Sequence, residues 1–397
     1  MSRVSKKQVY LDNAASTPVD PTVLKEINKT VGFYGNPSSY NDCGREARKK
    51  LERSRLTVAR FLGAHPEEII FTSSGSESNN LAILGSTRAY SGRSGKEILT
   101  SPIEHPSVLE PLRALEGEGW KVTYLKVDKE GRVILQDLEK KLNPRVALVS
   151  VMYANNEIGT IQPITKISKV IRDFKATALL RYKTTSYPLF HVDACQATGY
   201  LDMNANNLGV DLMTLNGSKI YGPKGIGVLY VKRGIPIKPL IYGGNQEHGL
   251  RAGTESLPAI AGLAKAVSLI SKKEAEETKK LRDYFIEKIE KIIPEIRLNG
   301  PRGDGRLANN VNVSIPNLDS ENLLLELDKY GIYASAGSAC TAHSVELSHV
   351  LRAIGSDKKH LGRALRFSLG KQTTKKDIDY LLEILPKVIG DLKKRYS

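Results

Sequence analysis

Apolar positions along this chain follow two different rhythms. Between about residues 67 and 232, short apolar runs alternate with amphipathic stretches. The runs at 68–72, 97–100, 122–127, 146–152, 189–193, 212–215 and 227–231 have the length and β-branched content of strands, while 164–174 carries apolar residues at helical spacing. Alternation of this kind predicts an α/β architecture: a mostly parallel seven-stranded sheet between helices on both faces. Ahead of it, Asp20 followed by Pro21 reads as a cap and first-turn proline, opening a helix to about Val31.

From Pro258 the rhythm changes. A long helical stretch reaches about Ile293 with room for a break, followed by a strand at 310–315 and a helix at 320–330. A loop of Gly, Ser and Ala at 334–342 precedes a strand at 364–368. A last helix opens near Thr374, where Asp377 completes a capping box in place of the usual Glu. Grouped in this way, the elements predict a smaller α+β unit packed on the first.

Composition narrows the class. The 397 residues exceed what one small core organises, and 40% hydrophobic with 26% charged residues is the balance of a soluble globular protein. No apolar run approaches the ~20 residues of a membrane helix, and the basic start is followed by no apolar signal segment, so the expected location is cytoplasmic, with no membrane partner. Cys43, Cys195 and Cys340 are odd in number and widely spaced, which fits free thiols and neither a disulfide framework nor a metal site. The net charge of +16 favours anionic partners. Its lysines are scattered through helices with no basic stripe among aromatics, so direct nucleic-acid binding is not expected.

Four segments carry candidate chemistry. Phe71-Thr-Ser-Ser-Gly-Ser-Glu-Ser-Asn-Asn80 runs from a strand through a Gly/Ser turn into a helix whose N-terminus could hold an anion or could simply be capped. In His191-Val-Asp-Ala-Cys-Gln196, Asp193 ends an apolar strand, where it caps a helix or faces a cationic ligand. Leu215-Asn-Gly-Ser-Lys-Ile-Tyr-Gly-Pro-Lys-Gly225 sets Lys219 straight after a strand, suited to Schiff-base chemistry if pocketed, and Lys224 in a turn. Ala334-Ser-Ala-Gly-Ser-Ala-Cys-Thr-Ala-His343 surrounds Cys340 with small residues, the setting of a thiol that must travel. Beyond it, Arg366 stands alone on an apolar strand, so it needs an anion, either a substrate carboxylate or an internal acid.

Taken together and in this order, the segments are specific. The chain resembles the IscS/NifS-type cysteine desulfurases, class V aminotransferases of pyridoxal-phosphate fold type I, from Tyr10 to about Lys394. The resemblance is carried by Tyr-Leu-Asp-Asn-Ala-Ala-Ser-Thr-Pro at 10–18, Gly-Asn-Pro-Ser-Ser at 35–39, Glu-His-Pro-Ser-Val at 104–108 and Asn-Asn-Glu-Ile-Gly at 155–159. Further matches are His-Val-Asp-Ala-Cys-Gln at 191–196, Lys-Ile-Tyr-Gly-Pro-Lys-Gly at 219–225, Arg-Ala-Gly-Thr-Glu at 251–255, Gly-Ser-Ala-Cys-Thr at 337–341 and Arg-Phe-Ser-Leu-Gly at 366–370. The form of the cysteine loop looks like the IscS/NifS branch and not the SufS branch.

The resemblance implies a large cofactor-binding domain at 15–257 and a small domain of 1–14 and 258–397 that carries the cysteine loop. It implies pyridoxal 5'-phosphate as cofactor and L-cysteine as substrate. Lys219 would hold the cofactor and move the Cα proton, Asp193 would pair with the pyridine N–H, Gln196 would bond the phenolic oxygen, and His105 would stack on the ring and act as acid and base. Gly75, Ser76, Asn216 and Ser218 would cradle the phosphate. Thr254 would reach the phosphate of a neighbouring subunit, implying a homodimer. Asn155 would contact the cofactor or, with Arg366, the substrate carboxylate. Cys340 would accept the sulfur as a persulfide and pass it to an Fe–S scaffold or a tRNA-thiolation enzyme.

The chain departs from the family pattern at Asn216 and Ser218, where the family usually has Ser and His, and at Asn41, where His is usual. These departures predict a weaker hold on the cofactor. They keep two alternatives open: a non-catalytic sulfur carrier or scaffold-binding homologue, or a related lyase acting on selenocysteine or cysteine sulfinate. Residues 176–188 read as a surface insertion, and docking of a scaffold by a C-terminal tail is not expected.

Overall fold

The computed structural model of the chain describes residues 7–90, 95–182, 187–337, 348–357 and 360–396. Among them the chain opens with β1 (Val9–Tyr10). The strands β2 (Ile69–Thr72), β3 (Glu97–Thr100), β4 (Lys121–Tyr124), β5 (Val146–Ser150), β6 (Leu189–Asp193), β7 (Leu212–Asn216) and β8 (Gly227–Val231) then form one seven-stranded sheet in the order β2-β8-β7-β6-β5-β3-β4. Only the pairings of β8 with β2 and with β7 are antiparallel; β4, β3, β5, β6 and β7 run parallel. Each apolar run expected to be a strand is one. β5, β6 and β8 are buried along their whole length, as strands covered on both faces must be.

The helices that cover this sheet begin where local chemistry says they should. Asp20 accepts from the Thr22 N–H at 2.8 Å and starts the helix Pro21–Val31. Asn41 accepts from the Gly44 N–H at 2.9 Å and starts the helix Asp42–Leu62. Both pack against the helix Leu257–Ser268, and one apolar cluster joins Val23, Leu51 and Leu62 to Phe190, Tyr230, Ile260 and Leu263. The helix Ile164–Tyr182 runs on through residues 175–182, so the first part of the expected insertion is helical and leaves Leu179 and Leu180 exposed.

The expected long helix breaks at 269–271, dividing Leu257–Ser268 from Lys272–Ile292. In packing terms the change of pattern at 258 precedes the change of core by one helix, because Leu257–Ser268 still belongs to the first cluster. The second cluster gathers Phe285, Ile289, Val313, Phe367 and Leu385 around the strands β9 (Arg297–Leu298), β10 (Asn310–Ser314), β11 (Ile332–Tyr333) and β12 (Ala364–Ser368). Val9 and Leu11 lie in this second cluster because β1 pairs in parallel with β11. The last helix, Lys375–Tyr396, is opened by the anticipated box: Asp377 accepts from the Thr374 N–H at 2.9 Å, and Thr374 Oγ accepts from the Asp377 N–H at 3.3 Å.

One buried ion pair ties the first turn of this architecture together. Arg55 donates to both carboxylate oxygens of Glu247 at 2.8 Å and to the Ile69 carbonyl at 2.7 Å, while Glu247 also accepts from the Phe71 N–H at 2.8 Å. Glu247 is held at φ 48°, in the left-handed region that a non-glycine residue seldom occupies. The pair thus fixes β2 and a strained turn at once. Glu247→Ala leaves the buried Arg55 guanidinium with only the exposed Glu52 carboxylate, 3.3 Å from its Nε, and should lower stability by roughly 3 kcal/mol. A chemical-denaturation midpoint within error of wild type would refute that role.

Candidate active site

The ends of five strands converge on one cavity of about 160 Å³. It lies beyond the carboxyl ends of the parallel strands, where α/β sheets place their ligands, and next to the point where the chain order reverses about β3. Asp193 is the last residue of β6, His105 follows β3, Asn156 follows β5, and Lys219 follows β7. Gly75 and Ser76 come from the turn after β2, and Arg366 reaches over from β12.

Lys219 closes a short turn, Gly217–Lys219, that Asn216 caps by accepting from the Ser218 N–H at 3.1 Å. Its Nζ donates to the Ala14 carbonyl at 2.9 Å and to the Ala15 carbonyl at 2.5 Å. Gln196 donates to the same Ala14 carbonyl at 3.0 Å. The N-terminal segment 14–15 therefore presents the lysine to the cavity. Lys224 is exposed in the following turn, next to Gly225 at φ 79°.

Asp193 is buried and accepts hydrogen bonds from the Cys195 N–H at 3.0 Å and from the Asn79 amide at 2.8 Å. The Asn79 amide also donates to Ser107 Oγ at 2.8 Å, and Ser107 Oγ lies 2.8 Å from His105 Nδ1. Burial lowers the pKa of His105 against the opposing pull of Asp193. Cys195 also lines the cavity, where burial and then the Asp193 charge hold its thiol well above its ordinary value. That makes it a poor nucleophile. Beside these groups, burial pushes the fully buried Glu104 up to about 8. Its Oε1 accepts from the Met152 N–H at 3.0 Å, while Oε2 has no partner among the described residues.

The Gly75 turn that lines the cavity suits an anion. The helix Gly75–Asn80 starts there, capped by Ser74. A Cβ on Gly75 would stand 2.7 Å from Cys195 Sγ, so only glycine lets the turn approach so closely. Arg366, which also lines the cavity, is almost wholly buried. It donates to the Asn156 carbonyl at 3.0 Å and to Asp12 at 2.9 Å, and its Nε has no partner among the described residues.

Several expected site residues lie elsewhere. Asn155 does not line the cavity: its oxygen accepts from the N–H groups of Glu157 and Ile158 and its amide donates to the Ile103 carbonyl, so the turn consumes it and Asn156 takes the lining position. Ser218 is turned away; its hydroxyl donates to Asn216 and its carbonyl accepts from Thr17. Thr254 is exposed and stands apart from this cavity in the single chain. Asn41 is a helix cap. Cys340 lies outside the described residues. Conversely, the sequence reading passed over Asn79, Ser107, Asn156 and the carbonyls of Ala14 and Ala15. Asn79 alone had a visible signal, sitting four residues after Gly75 and so on the same helix face.

Residues 9–381 match the model of the aminotransferase class-V family. The chain belongs to that family, among the cysteine desulfurases. It is 45% identical over 392 residues to the cysteine desulfurase IscS of Dictyoglomus turgidum, covering 98% of this chain and 96% of that protein. It is 44% identical over 388 residues to the IscS of Clostridium botulinum, covering 96% and 94%. A NifS-like protein of known structure superposes with a TM-score of 0.88 at 37% identity, covering 97% of this chain and all of that one. The fold is accordingly that of pyridoxal-phosphate fold type I.

Two measurements probe this desulfurase site. Glu104 keeps in the folded state a proton that the unfolded carboxyl gives up near 4.5, so folding takes up a proton between there and about 8. Stability should therefore fall as pH rises through that window, and Glu104→Gln should flatten the fall. Equal slopes in the two proteins would remove Glu104 from the account. Separately, Gly75→Ala should be destabilising and Cys195→Ala should recover part of the loss, because it deletes the atom the new Cβ meets; additive melting shifts would count against the contact.

Proposed function

We propose that the protein binds pyridoxal 5'-phosphate in this cavity, takes L-cysteine, releases L-alanine and passes the sulfur to Cys340 as a persulfide, for Fe–S cluster assembly, tRNA thiolation or both. The observation that carries this reading is the convergence of Lys219, Asp193, His105, Gln196 and Arg366 on one cavity. The residues fit the cofactor. A buried carboxylate suits a protonated pyridine nitrogen, a helix N-terminus with a close-approach glycine suits a phosphate, and a lysine amine lines the same cavity. When bound, the cofactor supplies an electron sink for the bonds at the substrate Cα.

The chain's own residues then have separable roles. Lys219 Nζ holds the cofactor and afterwards moves the Cα proton. Asp193 keeps the pyridine nitrogen protonated, and Gln196 serves the phenolic oxygen. Ser76, Gly75 and Asn216 serve the phosphate. The open Nε of Arg366 receives the substrate carboxylate. The Cys340 thiolate attacks the substrate Sγ. A sulfur–sulfur bond forms as the Cβ–Sγ bond breaks, and the electron pair left on Cβ takes up a proton to give alanine.

We also read the protein as a cytoplasmic homodimer in which Thr254 serves the neighbouring subunit's phosphate. Exposed apolar residues at Leu24, Val31, Tyr34 and Tyr40 support a protein interface on that side. The net charge of +16 favours an acidic sulfur acceptor. The catalytic set is complete in this chain, which favours the enzyme over the non-catalytic carrier.

The roles are tested together. Purified protein should absorb visible light through its lysine-bound cofactor, and Lys219→Ala should not. Cys340→Ala should keep that absorbance and respond to cysteine, yet form no persulfide. Alanine release at the wild-type rate in that variant would overturn the assignment. Arg366→Lys keeps the charge and loses the fork, so it should raise KM for cysteine on the order of 10–100-fold with a smaller change in kcat.

A further inference from the structure

The hydrogen bonds around His105 fix which of its nitrogens carries the proton. Ser107 donates its backbone N–H to His105 Nδ1 at 3.1 Å. A backbone amide only donates, so Nδ1 is an acceptor. Ser107 Oγ lies 2.8 Å from the same nitrogen and itself accepts one Asn79 amide hydrogen at 2.8 Å, which leaves the hydroxyl hydrogen for Nδ1. The other Asn79 amide hydrogen goes to Asp193 Oδ2 at 2.8 Å.

Asn79 is itself buried, and its Oδ1 has no partner among the described residues. Turning the amide over would set that oxygen against the Asp193 carboxylate, two acceptors face to face. The orientation with both hydrogens used and the carbonyl left over is the one that serves its two neighbours. His105 is also the N-cap of the twelve-residue helix Pro106–Gly117, whose partial positive charge disfavours a second proton on the ring. Lys219, His349 and Arg366 act on the ring in the same sense, and Asp193 opposes them.

We propose that Asn79 and Ser107 hold His105 as a neutral ring protonated at Nε2, so that His105 serves the reaction as a hydrogen-bond donor and Asn79 is the positioning residue that ties it to Asp193. The proposal rests on the functional reading above and narrows it. A ring with Nδ1 engaged by two donors and Nε2 already protonated offers no lone pair to an incoming proton. The proton movements at the substrate Cα then belong to Lys219, and His105 contributes orientation and a polarising N–H.

The test is the imidazole ¹⁵N spectrum of histidine-labelled full-length protein, cofactor-free and cofactor-loaded, with His105 assigned by comparison with His105→Gln. The expected result in both forms at neutral pH is a protonated Nε2 and a hydrogen-bonded, unprotonated Nδ1. Ser107→Ala keeps the backbone donor and should keep this tautomer. Asn79→Leu also keeps that donor but releases the Ser107 hydroxyl from its fixed direction, so it should move the His105 Nδ1 signal without changing the tautomer and weaken cofactor binding about 10-fold. A protonated Nδ1 or a doubly protonated ring in wild type overturns the proposal, as does a folded Asn79→Leu protein with unchanged His105 shifts. The wild-type spectrum decides the tautomer even where a variant does not fold. Failure to bind the cofactor would sink the functional reading and leave the cofactor-free tautomer to stand or fall by itself.

Discussion

Asp193 sits at the end of β6, almost cut off from water, with a backbone N–H on one oxygen and the Asn79 amide on the other. An ionised carboxylate in that position is tolerable only if donors are brought to it, and the surrounding structure can be read as their delivery. The helix Gly75–Asn80 must come close enough for Asn79 to reach, which is why its first residue is a glycine pressed against Cys195. The turn after β3 must bring Ser107 to the same amide, which places His105 at the mouth of the next helix. Lys219 is held from the other side by Ala14 and Ala15. The carboxylate thus sets the spacing of three separate chain segments.

The sheet was legible because most of its strands are buried and mainly apolar; β5 stands out without any tertiary information, while the edge strand β4 is the most exposed. That Lys219, Asp193, His105 and Arg366 belong together was legible through their order along the chain, and they do line one cavity. Ser107 was not, and Asn79 offered only its place on the helix face of Gly75, because the Asn79 contacts join residues 28 and 114 positions apart and helix phase alone does not say that an asparagine bonds Asp193. Asn155 was misplaced for a related reason. In an Asn-Asn pair, the sequence does not say which side chain closes the turn and which faces the cavity, and here Asn155 closes it.

The departures from the family pattern look different once their neighbours are known. Asn41 works as an exposed helix cap, so its change from histidine is compatible with purely local structure. Asn216 lines the cavity and also caps the Lys219 turn through Ser218. The two substitutions thereby form a pair, each satisfying the other's polar group. A histidine in place of Ser218 would lose that hydroxyl contact, and a serine in place of Asn216 has a shorter reach to the Ser218 N–H. The order of the turn is retained by other residues than the usual ones, and no charge is spent on it.

Under the proposed reading, Arg366 is made ready for a carboxylate before one arrives. A buried guanidinium needs a counter-charge, and Asp12 supplies it at 2.9 Å from the segment that β1 carries across to β11. The internal acid and the substrate acid are therefore not competing explanations for this arginine. Asp12 takes one terminal nitrogen and the Asn156 carbonyl the other, while Nε keeps its hydrogen for a ligand. Because the charge is already matched, a second carboxylate gains less from bare attraction and more from meeting the remaining N–H at the right angle. Such a site discriminates by shape and direction, which suits a small amino-acid substrate whose Cα must be placed beside Lys219.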